Sequence, residues 1–238
     1  MSVLAPSFKT DIPSHFRPAL REEDELIEVL FKQDNIQVAL VPADTNPKKT
    51  EQILHQFQDV FAEESWQPGD DLSAFPKASK YFVLSVSDNI AGILMLVIGN
   101  SDEGLSCLRV WPELQLHGRT DVADATMMVL KPEFRGQKLF WFLFVEMLRY
   151  CIRRKITDLW VEVTGRKIEI YQRFGWPLTI EGPLRSHWGI PSYPCKMSIP
   201  STEEIWLARS EKSSFYKSIV SQLHRDPAAS ATHSASAV

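Results

Sequence analysis

The segment from Leu130 to Lys155 most constrains what this chain can fold into. Its central run, "LFWFLFV" at residues 139–145, is apolar on nearly every side of the helix that it predicts. Such a helix is buried on more than one face, so other elements must pack around it. The turn before it, "LKPEFRGQK", begins like a phosphate-binding turn but has one glycine, Gly136.

The elements around this helix are short and mixed in type. An opening helix is predicted from apolar residues at helical spacing: Leu26, Ile27, Leu30 and Phe31. The other predicted elements are a strand at 36–41, a helix at 48–64, a hairpin (81–87 and 90–98) turning at Asp88-Asn89, strands at 125–130 and 158–163, a helix at 166–174, two β-like pieces at 178–182 and 193–199, and a helix near 202–224. This order predicts a mixed α/β fold in one domain.

Charge is concentrated in one part of the chain. The 238 residues carry a net charge of −4, yet residues 131–173 contain ten basic and five acidic side chains. A basic block in an acidic protein predicts a face that meets an anionic ligand or partner. The alternative for Arg153, Arg154 and Lys155 is that they complement the C-terminal end of a helix.

The sequence contains no motif for several functional classes of protein. The three cysteines are far apart, the six histidines lack metal-ligand spacing, and no nucleophilic Ser or Cys motif, Walker loop or nucleic-acid module is present. No secretory signal and no apolar run of about 18 residues is found. We therefore expect a soluble cytoplasmic protein with no metal, no nucleic-acid partner and no membrane span.

Two motifs resemble the GNAT superfamily of N-acyltransferases. The turn "VLKPEFRGQ" before the long helix and the later "IYQRFGW" are similar to that family's two core motifs, in the same order and with a similar separation. Lys138 and Phe140 stand where the family has glycines. The resemblance implies a GNAT-like mixed central sheet flanked by helices, an α/β (α+β) fold, and N-acyl transfer from a thioester to the amine of a small molecule such as an amino acid.

A narrower resemblance is to acyl-homoserine-lactone synthases and long-chain N-acyl-amino-acid synthases. The segment "VFAEESWQPGDDLSAF" places Phe61, Trp66, Asp70 and Asp71 before the first hairpin, as that branch places aromatic and acidic residues. Asp124 has the position of the branch's acidic residue, while Met127 replaces the arginine that usually follows. The predicted domain bounds are an N-terminal extension (1–20), an acyltransferase domain (21–200) that the resemblance implies, a C-terminal helix (201–226), and a tail (227–238) whose low-complexity sequence predicts disorder.

The resemblance also implies roles for individual residues. Tyr171 is the candidate acid for the departing thiolate, and Asp124 is the candidate acceptor or orienter of the amine proton. The backbone of Val129 and Leu130 is expected to bind the acyl-pantetheine arm. The turn residues expected to bind the donor phosphate are Arg135, Gly136, Gln137 and Lys138, and the residues expected on the acceptor side are Trp66, Asp70, Asp71 and Trp111.

Structural alternatives stand beside these roles. Tyr171 can be an aromatic residue of the core, Asp124 a solvated carboxylate, the two aspartates turn formers and the tryptophans packing residues. No permanent cofactor is expected, since the donor, acyl carrier protein or acyl-CoA, is a co-substrate. Side chains at 138 and 140 hinder close wrapping of a pyrophosphate, which favours the single phosphate of a carrier protein as partner. The alternative function is a non-catalytic GNAT-fold module that binds an acyl carrier or another protein.

Overall fold

The computed structural model describes residues 27–65, 78–99 and 104–225. The predicted extension at 1–20, the predicted tail at 227–238 and the candidate residues Trp66, Asp70 and Asp71 lie outside these ranges. The predicted domain bounds therefore stay a prediction.

A mixed sheet of nine strands forms the centre of the described part of the chain. In sheet order β1-β2-β3-β4-β5-β6-β9-β7, with β8 paired to β9, neighbouring strands are antiparallel except β5 and β6, which run parallel. The strands are β1 (Glu28–Gln33), β2 (Ile36–Pro42), β3 (Lys80–Val86), β4 (Asn89–Ile98), β5 (Val122–Leu130), β6 (Asp158–Val163), β7 (Leu178–Ile180), β8 (Arg185–His187) and β9 (Ile190–Ser198).

Helices cover both faces of the sheet. The described helices are α1 (Pro47–His55), α2 (Gln58–Glu63), α3 (Phe140–Arg153), α4 (Gly165–Arg173), α5 (Ile199–Ser210) and α6 (Ser214–Leu223). α3 packs on the face that carries Leu40, Leu84 and Leu94, whereas α1 and α2 pack on the face that carries Val41 and Val83. Because both faces are buried, β2, β3 and β4 are apolar almost throughout, without the alternation of a half-exposed strand.

The predicted mixed fold, the hairpin and the long buried helix are confirmed. α3 is buried from Leu143 to Cys151. β3 and β4 are joined by a two-residue turn at Ser87-Asp88, both with positive φ, one residue before the predicted turn at Asp88-Asn89. Gly175, with φ of 80°, follows the end of α4 as expected of a helix-stop glycine.

Other predictions of secondary structure are wrong. Residues 28–33 form strand β1 where a helix is predicted, and β8 is missing from the prediction. The helix predicted at 48–64 is two helices that meet at Gln56-Phe57, and the helix predicted near 202–224 is also two, α5 and α6. β5 begins at Val122, three residues before the predicted strand.

Candidate active site

β5 and β6 separate part-way along their length. Their parallel register runs from Val122, opposite Asp158, to Ala125, opposite Val161, and ends there. Beyond this point β5 stays paired with β4 as far as Leu130, while β6 pairs with β9. Among the described strands, the β5 backbone from Thr126 onward therefore has no partner on the β6 side. Val129 and Leu130 lie in this stretch, and their binding of the donor stays a prediction.

A bulge in β5 lies at the point of separation. Met127 pairs with Met95 and Ala125 pairs with Leu96, so Thr126 is an extra residue between them. Bulges bend a strand and redirect the side chains around them. Here the bulge sets Thr126 on the wall of the opening.

A cavity of about 450 Å³ lies in the opening between β5 and β6. One part of its wall is apolar and is formed on the α3 face of the sheet by Leu94, Ala125, Met128, Phe144, Val161 and Trp176. Another part is polar or lies in the β8–β9 hairpin: Thr126, Glu162, His187, Trp188, Gly189 and Ser192. The remaining wall includes Glu64 and Ser65 after α2, and Thr164, Lys167 and Tyr171 at and within α4.

Tyr171 lies on the cavity wall. Its ring stacks on Trp176 with 4.8 Å between ring centroids, and Trp176 stacks in turn on Phe144 at 3.8 Å. Burial, and then the charge of Glu64, raises the pKa of the Tyr171 hydroxyl. A raised pKa keeps the hydroxyl protonated, the state that a proton donor needs. The proposed catalytic role itself stays a prediction.

The polar part of the wall contains a histidine–glutamate pair. His187 Nδ1 lies 2.6 Å from Glu162 Oε2, and the two side chains are only 12% and 9% exposed. Since a carboxylate only accepts hydrogen bonds, Nδ1 carries the proton and donates it. The tight β8–β9 turn, Trp188-Gly189 with φ of 50° and 82°, follows His187 directly and holds it at the cavity.

Asp124 is fully buried behind this wall. Its Oδ2 accepts a hydrogen bond from the Cys107 amide at 2.7 Å, and its Oδ1 accepts one from the Thr126 hydroxyl at 3.0 Å. Burial, and then the charge of Glu162, raises its pKa to about 7. The alternative of a solvated carboxylate is wrong. Direct contact with an amine also does not fit this placement, so any role of Asp124 acts through Thr126 or Glu162, which line the cavity.

The glycine-poor turn lies at the start of α3. Arg135 contacts Glu63 and Glu64 at 3.2–3.3 Å and donates from Nε to the Leu130 carbonyl at 3.2 Å. Gly136 has φ of 78°, and Gln137 donates to the Glu133 carbonyl at 3.3 Å. A phosphate bound at this turn would therefore compete with two carboxylates for Arg135.

Lys138 has a left-handed backbone, with φ of 59°. Its ammonium lies 5.1 Å from the centre of the Phe215 ring on α6, a cation–π contact. Phe140 packs against the core beside Phe174, with 5.7 Å between ring centroids, as expected from the sequence. The side chain of Lys138 is exposed, so it can move from Phe215 toward an anion.

The other basic residues of this helix lie away from the turn. Arg149 is buried and paired with Glu146 at 2.6 Å, so it cannot meet a partner protein. Arg153, Arg154 and Lys155 are exposed at the opposite end of α3. From Lys138 to Lys155 the helix rise corresponds to about 25 Å. The basic block of the sequence is therefore divided in space.

Trp111 does not line this cavity. It is fully buried in a separate core cluster with Cys107, Val122 and Trp160, and its indole N–H donates to the Pro183 carbonyl at 2.8 Å. Its predicted place in the acceptor pocket is corrected to packing. Thr126, Glu162 and His187 also line the cavity but are not predicted as site residues from the sequence. The one signal for Glu162 is its polar position within the strand "DLWVEV", and isolated histidines offer no signal at all.

Comparison with known proteins decides the family. Residues 57–186, more than half of the chain, match the family described as N-acyl amino acid synthase FeeM. This chain belongs to the FeeM family. It is accordingly a GNAT-type N-acyltransferase, and the predicted resemblance and enzyme class are confirmed. No curated protein matches the chain by sequence.

Solved structures confirm the fold of this FeeM-family chain. FeeM from uncultured soil microbes, described as an N-acyl amino acid synthase, is 15% identical, with a TM-score of 0.57 over 75% of this chain and 98% of FeeM. BjaI, a CoA-dependent acyl-homoserine lactone synthase, is 11% identical, with a TM-score of 0.55 over 73% of this chain and 89% of its own. The synthase LasI is 15% identical, with a TM-score of 0.53 over 70% and 91%.

Among the helices described here, none has the length and apolar character to cross a membrane. Within residues 27–65, 78–99 and 104–225, no group of three His, Cys, Asp or Glu side chains is arranged to hold a metal ion.

Proposed function

We propose that this FeeM-family chain transfers an acyl group from a phosphopantetheine thioester directly to the amine of an amino acid or a related small molecule. The observation that carries the proposal is the cavity between β5 and β6, which has Tyr171 and an apolar wall on one side and Glu162 and His187 on the other. A single volume of about 450 Å³ can hold an acyl thioester and an amine side by side.

The apolar wall suits the acyl chain. Met128, Phe144 and Trp176 offer it a surface on the α3 side of the sheet, where burial of methylene groups contributes about 0.8 kcal/mol each. The unpaired β5 backbone beyond Ala125 offers N–H and C=O groups to the extended pantetheine arm. A backbone N–H of β5 is also a suitable donor to the oxyanion that forms when the amine attacks the thioester.

Tyr171 suits the protonation of the leaving thiolate. It lies on α4 at the edge of the same cavity, its ring is fixed by Trp176, and its raised pKa keeps the hydroxyl proton in place until a strong base forms beside it. In the tetrahedral intermediate the C–S bond breaks, the carbonyl reforms as an amide, and the thiolate takes the phenolic proton. Tyr171 then recovers a proton from the attacking nitrogen, which carries two protons until it loses one to give the neutral amide.

The start of α3 suits the phosphate of the donor. Helix N-termini bind anions through their N–H groups and dipole, and α3 has no acidic residue in its first turn and no side-chain cap among the described residues. The Trp141 and Phe142 amides already donate to the Lys138 and Leu139 carbonyls, so an anion would compete with these carbonyls. Both acyl-CoA and an acyl carrier protein present a phosphate at the end of the pantetheine arm. We favour the carrier protein because the side chain at Lys138 restricts the approach of a pyrophosphate.

Substitution of Tyr171 tests the proposal. Tyr171→Phe is expected to reduce turnover by roughly 10²-fold, measured as thiol release, because it removes the hydroxyl and keeps the ring packed on Trp176. Tyr193→Phe is the matched control, since the Tyr193 hydroxyl forms no hydrogen bond within the described residues and does not line the cavity. Equal rates for wild type and Tyr171→Phe would remove Tyr171 from the mechanism.

A further inference from the structure

We propose that His187 is the base that removes the proton from the attacking ammonium, and that Glu162 is the residue that positions it. This inference rests on the proposed function and assigns the acceptor side of the same cavity. It also moves the base role away from Asp124, to which the sequence resemblance gives it.

The geometry of the pair fixes which nitrogen can act. Nδ1 donates to Glu162 Oε2 at 2.6 Å, so in the neutral imidazole Nε2 is the nitrogen that carries the lone pair. Within the described residues Nε2 forms no hydrogen bond or ion pair. His187 lines the cavity, and its ring lies against Trp188, with 4.5 Å between ring centroids. A neutral imidazole held in one tautomer and facing a cavity is suited to general base catalysis.

The second oxygen of Glu162 adds an independent observation. Glu162 Oε1 is buried and has no hydrogen-bond donor among the described residues, although a buried carboxylate oxygen normally has one. Its charge also acts on the buried Asp124, whose pKa is raised in part by it. The Glu162 carboxylate on the cavity wall stabilises a cation there, first the substrate ammonium and then the imidazolium.

The proton balance is complete. The acceptor enters as an ammonium and gives one proton to His187 Nε2, and the free amine attacks the thioester carbon. The C–N bond forms, the C–S bond breaks, and the second nitrogen proton replaces the one that Tyr171 gives to the thiolate. The imidazolium then releases its proton to solvent. The products are an amide, a thiol and one proton, without any oxidant or further reactant.

Other titratable groups surround the pair and bear on its pH dependence. Those facing the cavity or packed behind its wall are Glu64 after α2, Lys167 and Tyr171 on α4, Asp124 on β5, and Cys107 in the 3₁₀ turn against Asp124. Among the titratable side chains described here, Glu162 is the one that directly contacts His187.

The experiment compares pH–rate profiles of three variants. His187→Gln is expected to reduce kcat/KM for the amine by about 10²-fold at pH 7 and to recover as the pH rises toward the pKa of the amine, where the free amine needs no base. Glu162→Gln is expected to reduce it by about tenfold, and Asp124→Asn by less than either. The donor KM is expected to stay within about twofold, since donor contacts are unchanged.

The control is a second histidine–glutamate pair. His224 lies 3.1 Å from Glu203 on α5 and is 54% exposed, so His224→Gln makes the same replacement away from the cavity. The probes are octanoyl-CoA and octanoyl carrier protein with the proteinogenic amino acids. A His187→Gln enzyme with the wild-type rate and profile, or with an equal loss at every pH, overturns the inference alone. No transfer to any amine by the wild type from either donor overturns the proposed function with it.

Discussion

At the scale of single residues, two lysines at opposite ends of α3 have the same unusual backbone. Lys138 and Lys155 both have φ of 59°, a left-handed conformation that costs a non-glycine residue about 1–2 kcal/mol. Lys155 follows the end of the helix, where such a residue is common. Lys138 precedes its start, at a position that the superfamily gives to glycine. The turn before α3 therefore has a left-handed backbone that glycine adopts without strain, and here it carries a lysine side chain.

Substitution of these two lysines by glycine separates backbone from ligand effects. Both variants are expected to change the free energy of unfolding by no more than about 1 kcal/mol, because relief of left-handed strain is offset by the greater freedom of unfolded glycine. Lys138→Gly is expected to lower the KM for acyl-CoA several-fold, since it reopens the approach to the turn. Lys155→Gly is expected to leave it unchanged. Denaturant unfolding measures the stability of both variants, and steady-state kinetics measures their KM for acyl-CoA. Equal KM values for wild type and Lys138→Gly would mean that the Lys138 side chain does not control donor choice.

At the scale of elements, α3 is fixed to α6 by a buried polar network. Glu146 Oε2 lies 2.6 Å from Arg149 Nη1, Gln222 donates to Glu146 Oε1 at 3.1 Å, and Arg149 Nη2 donates to the Arg225 carbonyl at 2.7 Å. Burial raises the pKa of Glu146 even though both arginine charges lower it. The network joins the buried helix behind the cavity to the end of the described chain.

Removal of Glu146 leaves a buried charge without its partner. Glu146→Ala is expected to lower the free energy of unfolding by about 3–5 kcal/mol, because Arg149, 5% exposed, loses its carboxylate. Glu169→Ala is the control: its contact with Arg173 is also within a helix but is about 80% exposed, so the expected change is below about 0.5 kcal/mol. Urea unfolding measures both, and similar losses would contradict the assignment of the network as a buried one.

Elements with a regular pattern were predictable, and irregular ones were not. α3 and the β3–β4 hairpin follow directly from apolar pattern and length. β1 has the sequence pattern of a helix because a bulge at Leu30 sets both Leu30 and Phe31 against the α3-side core. Two consecutive buried residues fit helical spacing better than strand alternation. The break between α1 and α2 at Gln56-Phe57 contains no Pro or Gly that would predict it from the sequence.

The site was predictable only where a motif is local. Tyr171 follows from the short motif "IYQRFGW", and the structure places it at the cavity. His187 and Glu162 are 25 residues apart and meet only because β6 and β8 both flank β9. Trp111 is of a residue type that often lines pockets. The burial of its side chain in a third core cluster depends on tertiary packing. Spatial pairs of this kind are set by sheet topology, which single-residue patterns do not contain.

At the scale of the whole molecule, the position of each charge matters more than the net charge. The net charge of −4 does not favour an acidic partner, and the basic block is divided between the two ends of α3 with Arg149 buried between them. At physiological ionic strength the Debye length is about 8 Å. The two ends, about 25 Å apart along the helix axis, therefore act on a partner independently.

Charge reversal at each end tests which of them meets the donor. If an acyl carrier protein delivers its single phosphate to the start of α3, Lys138→Glu is expected to reduce kcat/KM for the carrier about tenfold or more, and Lys138→Ala less, since repulsion adds to lost attraction. Lys155→Glu makes the same charge change about three Debye lengths away and is expected to change kcat/KM for the carrier less than twofold.

The carrier reaction is also expected to weaken steeply between low and physiological salt, and acyl carrier protein is expected to have a higher kcat/KM than acyl-CoA as donor. If Lys155→Glu harms the carrier reaction as much as Lys138→Glu does, the carrier meets the far end of α3. If the two donors have equal kcat/KM without salt dependence, the side chain at Lys138 does not select a carrier protein.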